Sequence, residues 1–111
     1  MSSALLRRSP WFALAFAAVL AAQDPAPISV TLKDHRFDPG EIHVPANKPV
    51  LLEVANQDGQ PEEFESHPMG VEKVVPPGAK VLVRIRPLKP GRYPFVGEYH
   101  EATAKGVVVA E

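Results

Sequence analysis

Four histidines, thirteen acids and no cysteine set the chemistry open to this chain of 111 residues. Imidazoles and carboxylates crowd into two stretches. The first is Pro61-Glu62-Glu63-Phe64-Glu65-Ser66, followed at once by His67 and Met69. The second is Gly97-Glu98-Tyr99-His100. Both point to metal ligation. Imidazole nitrogen suits Cu, Zn and Fe alike, and carboxylate oxygen favours harder ions such as Fe(III) or Cu(II) over Cu(I). His100 follows a short apolar strand and opens a loop, and is the first candidate ligand on grounds of resemblance given below. Glu98 is placed to bind the same ion or to orient the imidazole from behind. In the first stretch, strand alternation puts Glu62 and Phe64 on one face and Glu63 and Glu65 on the other. That alternation leaves open which of Glu62 and Glu63 faces a metal. His67 and Met69 form a candidate copper-capture pair, since Met is a soft donor; Met is otherwise a core filler. His35 and His43, in or beside the early strands, read as surface residues. The plainer reading of all these groups is a solvated acidic loop and exposed histidines.

The elements that must hold them have a period of two. Ile28, Val30 and Leu32 alternate with polar neighbours, as do Val81, Val83 and Ile85. Ile42 and Val44, Val50 to Val54, Phe64 to Ser66, Gly70 to Val75, Tyr93 to Val96 and Gly106 to Ala110 are further short extended runs. Pro/Gly turns separate them, notably Asp38-Pro39-Gly40, Pro76-Pro77-Gly78 and Pro87 to Gly91. This spacing predicts an all-β, antiparallel Greek-key sandwich in which Tyr93 to Val96 lies beside Gly106 to Ala110. Thirteen prolines spread through the chain leave no room for a long helix in the sandwich, and only Glu101 to Lys105 is expected to make a helical turn.

The beginning of the chain is of another kind. Arg7 and Arg8 precede an unbroken apolar run, Trp11 to Ala22, and polar sequence resumes at Gln23. Residues 1–22 read as a secretory signal helix cleaved after Ala21 or Ala22, being shorter than the ~20 apolar residues that span a bilayer. A linker, 23–27, leads into one domain, 28–111, and the expected location is periplasmic or secreted. The chain carries 12 Lys plus Arg against 13 Asp plus Glu. Setting aside the two leading arginines makes the remainder more acidic, so nucleic acid is not an expected partner. No serine sits in a nucleophile elbow and no Gly-rich loop opens a helix, so no enzyme is expected.

Several of these segments resemble the cupredoxins. Tyr93-x-Phe95 followed by His100 is similar to their closing strand and metal loop, and Phe37-x-Pro39, Val44-Pro45-Ala46 and Pro49-Val50 are similar to their opening strands. The likeness is strongest to small exported cupredoxin-like proteins associated with bacterial high-affinity iron uptake. It runs through Pro61 to Ser66, Glu72 to Gly78, Pro87 to Phe95, Gly97 to His100 and Thr103 to Glu111. The resemblance implies a rim metal site using His100. It puts the family's first histidine at Glu62, although related iron-uptake domains carry an acid directly before the aromatic, which is Glu63. It also puts the family's cysteine at Gly97. A blue-copper centre needs that thiolate, so the type-1 site is excluded. The expected ligand is a copper or iron ion, and the expected partner is a membrane iron permease or another uptake component. The competing expectation is a metal-free partner-binding module on the same fold.

Overall fold

The computed structural model describes residues 24–111. The run read as a secretory signal lies outside the described residues. Nine strands are found among them: β1 (Ile28–Lys33), β2 (Arg36–Asp38), β3 (Glu41–Val44), β4 (Val50–Asn56), β5 (Glu62–Ser66), β6 (Val71–Val75), β7 (Lys80–Ile85), β8 (Gly91–Gly97) and β9 (Lys105–Ala110). They form two packed sheets, ordered β2-β1-β4-β7 and β3-β9-β8-β5-β6. The last two strands pair as the sequence predicted, with Tyr93 opposite Val108.

Two expectations need correction. The sandwich is not wholly antiparallel, because β1–β4 and β3–β9 run parallel. The chain leaves the first sheet after β2, crosses to the second as β3, and returns as β4. Only a tight hairpin forces neighbours to be antiparallel, and each change of sheet replaces one. The short helical element is a 3-10 turn at Glu98–His100, ahead of the expected position.

The core is built from the alternating positions. Val30, Leu32, Leu52, Val54, Val83, Ile85 and Val108 are all buried. Three aromatics bridge the layers: Phe37 of β2 meets Phe64 of β5 and Phe95 of β8 edge-on, at ring-centroid distances of 5.8 and 5.1 Å. Phe64 and Phe95 stack at 4.8 Å. Truncating a buried Phe costs about 3–5 kcal/mol, so this trio fixes the register of β5 firmly. The consequence reaches the site. With Phe64 inward, Glu62 and Ser66 must also point inward, and all three are buried.

Candidate metal centre

Three pieces of chain meet at one end of the sandwich: the β1–β2 turn, the β4–β5 loop running into β5, and the 3-10 turn after β8. They bring together His35, Glu62 and His100, whose candidate ligand atoms all lie within 4.8 Å of one another.

Glu62 sits deepest. It is 1% exposed, and a glutamate is almost never so buried unless it is paired. Its Oε1 accepts the N–H groups of Tyr99, at 2.8 Å, and of Glu63, at 3.1 Å. Its Oε2 lies 2.6 Å from His100 Nδ1. The other ring nitrogen of His100, Nε2, lies 3.1 Å from Gln60 Oε1. Both ring nitrogens of His100 thus have an oxygen neighbour, a carboxylate on one side and an amide on the other. A metal cation competes with protons for such a site, because ligands must be deprotonated to bind.

His35 comes from an unexpected place. Lys33 pairs with Arg36, so Asp34 and His35 form a two-residue hairpin loop. Both have positive φ, 51° and 57°, as a type I′ turn requires. A residue other than glycine pays roughly 1–2 kcal/mol in that region. Asp58 holds the turn: its carboxylate accepts N–H from Asp34 at 2.7 Å and from His35 at 3.0 Å. Asp58 is itself placed by buried Asn56. The Asn56 amide oxygen accepts the Asp58 N–H, and its amide nitrogen donates to the carbonyls of Gln60 and Val75. Burial pushes the Asp58 carboxyl up, but the two turn N–H groups and the imidazoles of His35 and His100 outweigh it and hold the group below its ordinary value. The turn lays the His35 ring on that of His100, with centroids 3.7 Å apart and planes 13° from parallel. His35 Nδ1 is the one buried side-chain polar atom among the described residues without a hydrogen-bond partner, and it faces the Asp58 carboxylate at 3.4 Å.

Two imidazoles and a carboxylate are a donor set for Cu(II), Zn(II) or iron, and these residues therefore fit an ion. The sequence pointed to His100 and to the Glu62/Glu63 pair; the structure places Glu62, not Glu63, against His100. Glu63 faces outward with Glu72 and Glu98, forming a separate acidic group. There Glu63 is pushed up to about 7, chiefly by a carboxyl hydrogen bond with Glu98, then by burial and by the charges of Glu98, Glu72 and Glu65. Glu98 thus stands on the outer face and does not complete the imidazole cluster. The His67–Met69 loop follows the far end of β5, roughly 13 Å from Glu62 at ~3.3 Å per residue. Met69 is a core side chain, 2% exposed, whose N–H donates to Ser66 Oγ. His35, read from the sequence as a surface residue, takes the third place. Its only sequence signal is a pair of polar residues between two short alternating runs.

The profile of the cupredoxin-like domain matches residues 6–110. The chain belongs to the cupredoxin-like domain family. It is 39% identical over 82 residues to the uncharacterized protein RP394 of Rickettsia prowazekii (strain Madrid E), a match covering 74% of this chain and 66% of that one. Among solved structures, auracyanin A, a "blue" copper protein of Chloroflexus aurantiacus, superposes with a TM-score of 0.66 at 14% identity, over 79% of this chain and 100% of its own. The metal-binding domain of the Streptococcus pneumoniae Cu(I)-exporting P-type ATPase CopA, solved with Cu(I), gives 0.66 at 16% identity, over 77% and 84%. These structural likenesses establish the cupredoxin fold. Among the described residues this rim has no sulfur donor: the chain has no cysteine, and Met69 is a core side chain.

Proposed function

We propose that this chain is an exported metal-binding protein that takes one Cu(II) or iron ion at its rim, with His100, Glu62 and His35 as ligands, and serves metal uptake. The observation that carries the reading is the buried Glu62 carboxylate against His100 Nδ1, with a ligand atom of His35 within 4.8 Å of both. Two nitrogens and a hard oxygen favour Cu(II) or iron over Cu(I). A bound ion supplies a positive charge that neutralises the buried carboxylate. The role in iron uptake, beside a membrane permease, rests on the sequence resemblance of Pro61 to Ser66 and Gly97 to His100 to iron-uptake proteins. Export rests on the apolar run before Gln23.

Calorimetric titration with Cu(II) and with Fe(III) tests the reading. One ion per chain is expected, without an intense blue absorption band, and with affinity weakening in acid as imidazole protonates. If neither ion binds more tightly than to His100→Ala, the rim is a closed hydrogen-bonded cap. The metal-free partner-binding module is then the better account.

A further inference from the structure

Gly97 lies where β8 ends, directly under the cluster. Its backbone is ordinary extended chain, φ −90° and ψ 106°, which any residue adopts. The chain path therefore does not need glycine there. The space does. A Cβ added at 97 would stand 2.6 Å from Glu62 Cδ, 2.9 Å from Glu62 Cγ and 2.8 Å from Ala104 Cβ. Contacts that short are not tolerated, and every one of these atoms is buried. The Glu62 side chain thus lies in the volume that a side chain at 97 would fill. Ala104 cannot yield it, being fully buried with its N–H bonded to the His100 carbonyl and its carbonyl to the Gly97 N–H.

We propose that Gly97 is the residue that sets donor specificity at this rim, by ceding its side-chain volume to the Glu62 carboxylate. Residues 62 and 97 compete for one space. With glycine at 97, the carboxylate reaches Tyr99 N–H and His100 Nδ1, and the rim presents a hard oxygen. With any side chain at 97, the carboxylate is expelled and the rim keeps imidazoles alone. Hard ions then lose their oxygen donor, whereas Cu(I), which does not favour that donor, loses little. Gly97 touches no ion itself; it acts as a positioning residue through Glu62. The inference rests on the metal reading above for its consequence, but its structural half holds for the metal-free protein.

The test uses Gly97→Ala, with Gly97→Ala/Ala104→Gly as a companion that removes the Ala104 clash and leaves only the conflict with Glu62. NMR of the metal-free proteins reads the first half. In the parent, the Tyr99 amide is protected by Glu62; in both variants that protection should fall about 10-fold or more, since the amide loses its acceptor. Titration reads the second half. Cu(II) affinity should fall about 100-fold, as on deleting the Glu62 carboxylate itself, Cu(I) affinity should change less than about 3-fold, and Gly97→Ala should cost nothing further in a Glu62→Ala background. Retained Tyr99 protection overturns the proposal. So does an equal loss of Cu(II) affinity in the Glu62→Ala background, which would mark a general packing defect. If the parent binds no ion, the metal reading fails and with it the specificity role, while the NMR arm still decides whether residues 62 and 97 exclude each other.

Discussion

Glu62 and Glu63 are chain neighbours with identical side chains, and they live in two different regions. Around Glu62 are two backbone N–H donors, two stacked imidazoles and almost no water. Around Glu63 are Glu72, Glu98 and Glu65, all carboxylates and all on the outer face. Either group of three brings its oxygens or nitrogens within reach of a common ion. What separates them is the company. The inner carboxylate is stabilised by donors that a cation can share or replace. The outer carboxylates repel one another, and one of them relieves the repulsion by holding a proton. Side-chain count does not make a metal centre; burial with complementary donors does.

Ligand deletion gives the largest contrast. Glu62→Ala and His100→Ala should each weaken Cu(II) binding about 100-fold, near 2.7 kcal/mol, while Glu63→Ala should change it less than about 3-fold. Calorimetry decides this. Equal losses at 62 and 63 would erase the distinction between the two regions.

The hairpin histidine sharpens it. His35→Gly removes a donor and also relieves a positive φ. Cu(II) affinity should fall about 10-fold, on the scale of losing a supporting ligand. The metal-free protein should nonetheless be as stable, or more stable by up to about 1 kcal/mol. Thermal melts with and without the ion show both signs. A residue kept only for folding would lose stability instead.

How much of this the sequence revealed follows from the range of the interactions involved. Alternation at Val30/Leu32, Val81/Val83/Ile85 and Tyr93 to Val96 is local, and the strands were legible from it. The parallel pairs β1–β4 and β3–β9 depend on where the chain changes sheet, which no local pattern encodes. His100 was legible mostly through the likeness of Tyr93-x-Phe95 and His100 to the cupredoxin closing strand and metal loop. Glu62 was half legible: alternation split it from Glu63, but only the burial of Phe64 says which parity faces inward. Met69 misled because a soft donor and a core filler are the same side chain. His35 was missed because its I′ turn is written Asp-His rather than with glycine, so the usual hairpin mark is absent.

A smaller effect comes from the outer carboxylates alone. Glu63 is raised to about 7 in the folded protein, first by its hydrogen bond with Glu98, above the ordinary carboxylate value that the unfolded chain keeps. A group raised on folding contributes stability below its unfolded value and loses that contribution as pH rises through its folded value. The metal-free protein should therefore melt at falling temperature as pH climbs from about 5 to about 8, and Glu98→Gln should flatten that slope. A melting temperature that rises across this window would remove the repulsion from the comparison.

The smallest effect tests whether an imidazole between carboxylates needs burial to matter. His43 has a carboxylate at each ring nitrogen, Glu41 at 2.9 Å and Glu111 at 3.1 Å. On composition it rivals the rim, with one imidazole and two acids. It differs in geometry and solvent. The two acids stand on opposite sides of the ring, so no common point faces all three, and the His43 side chain is half exposed. Hydrogen bonds to Glu41 and then Glu111 raise its pKa. The sign follows as before: its stabilising contribution is present below the ordinary histidine value and fades as pH rises through the raised one. Exposed pairs are screened by salt, so the contribution should be small and should vanish in high salt. His43→Ala should leave Cu(II) affinity within about 2-fold of the parent and remove only a faint, salt-sensitive dependence of melting temperature on pH. Were His43→Ala to weaken Cu(II) binding as His100→Ala does, carboxylates beside an imidazole would suffice without burial, and the contrast between Glu62 and Glu63 would lose its physical basis.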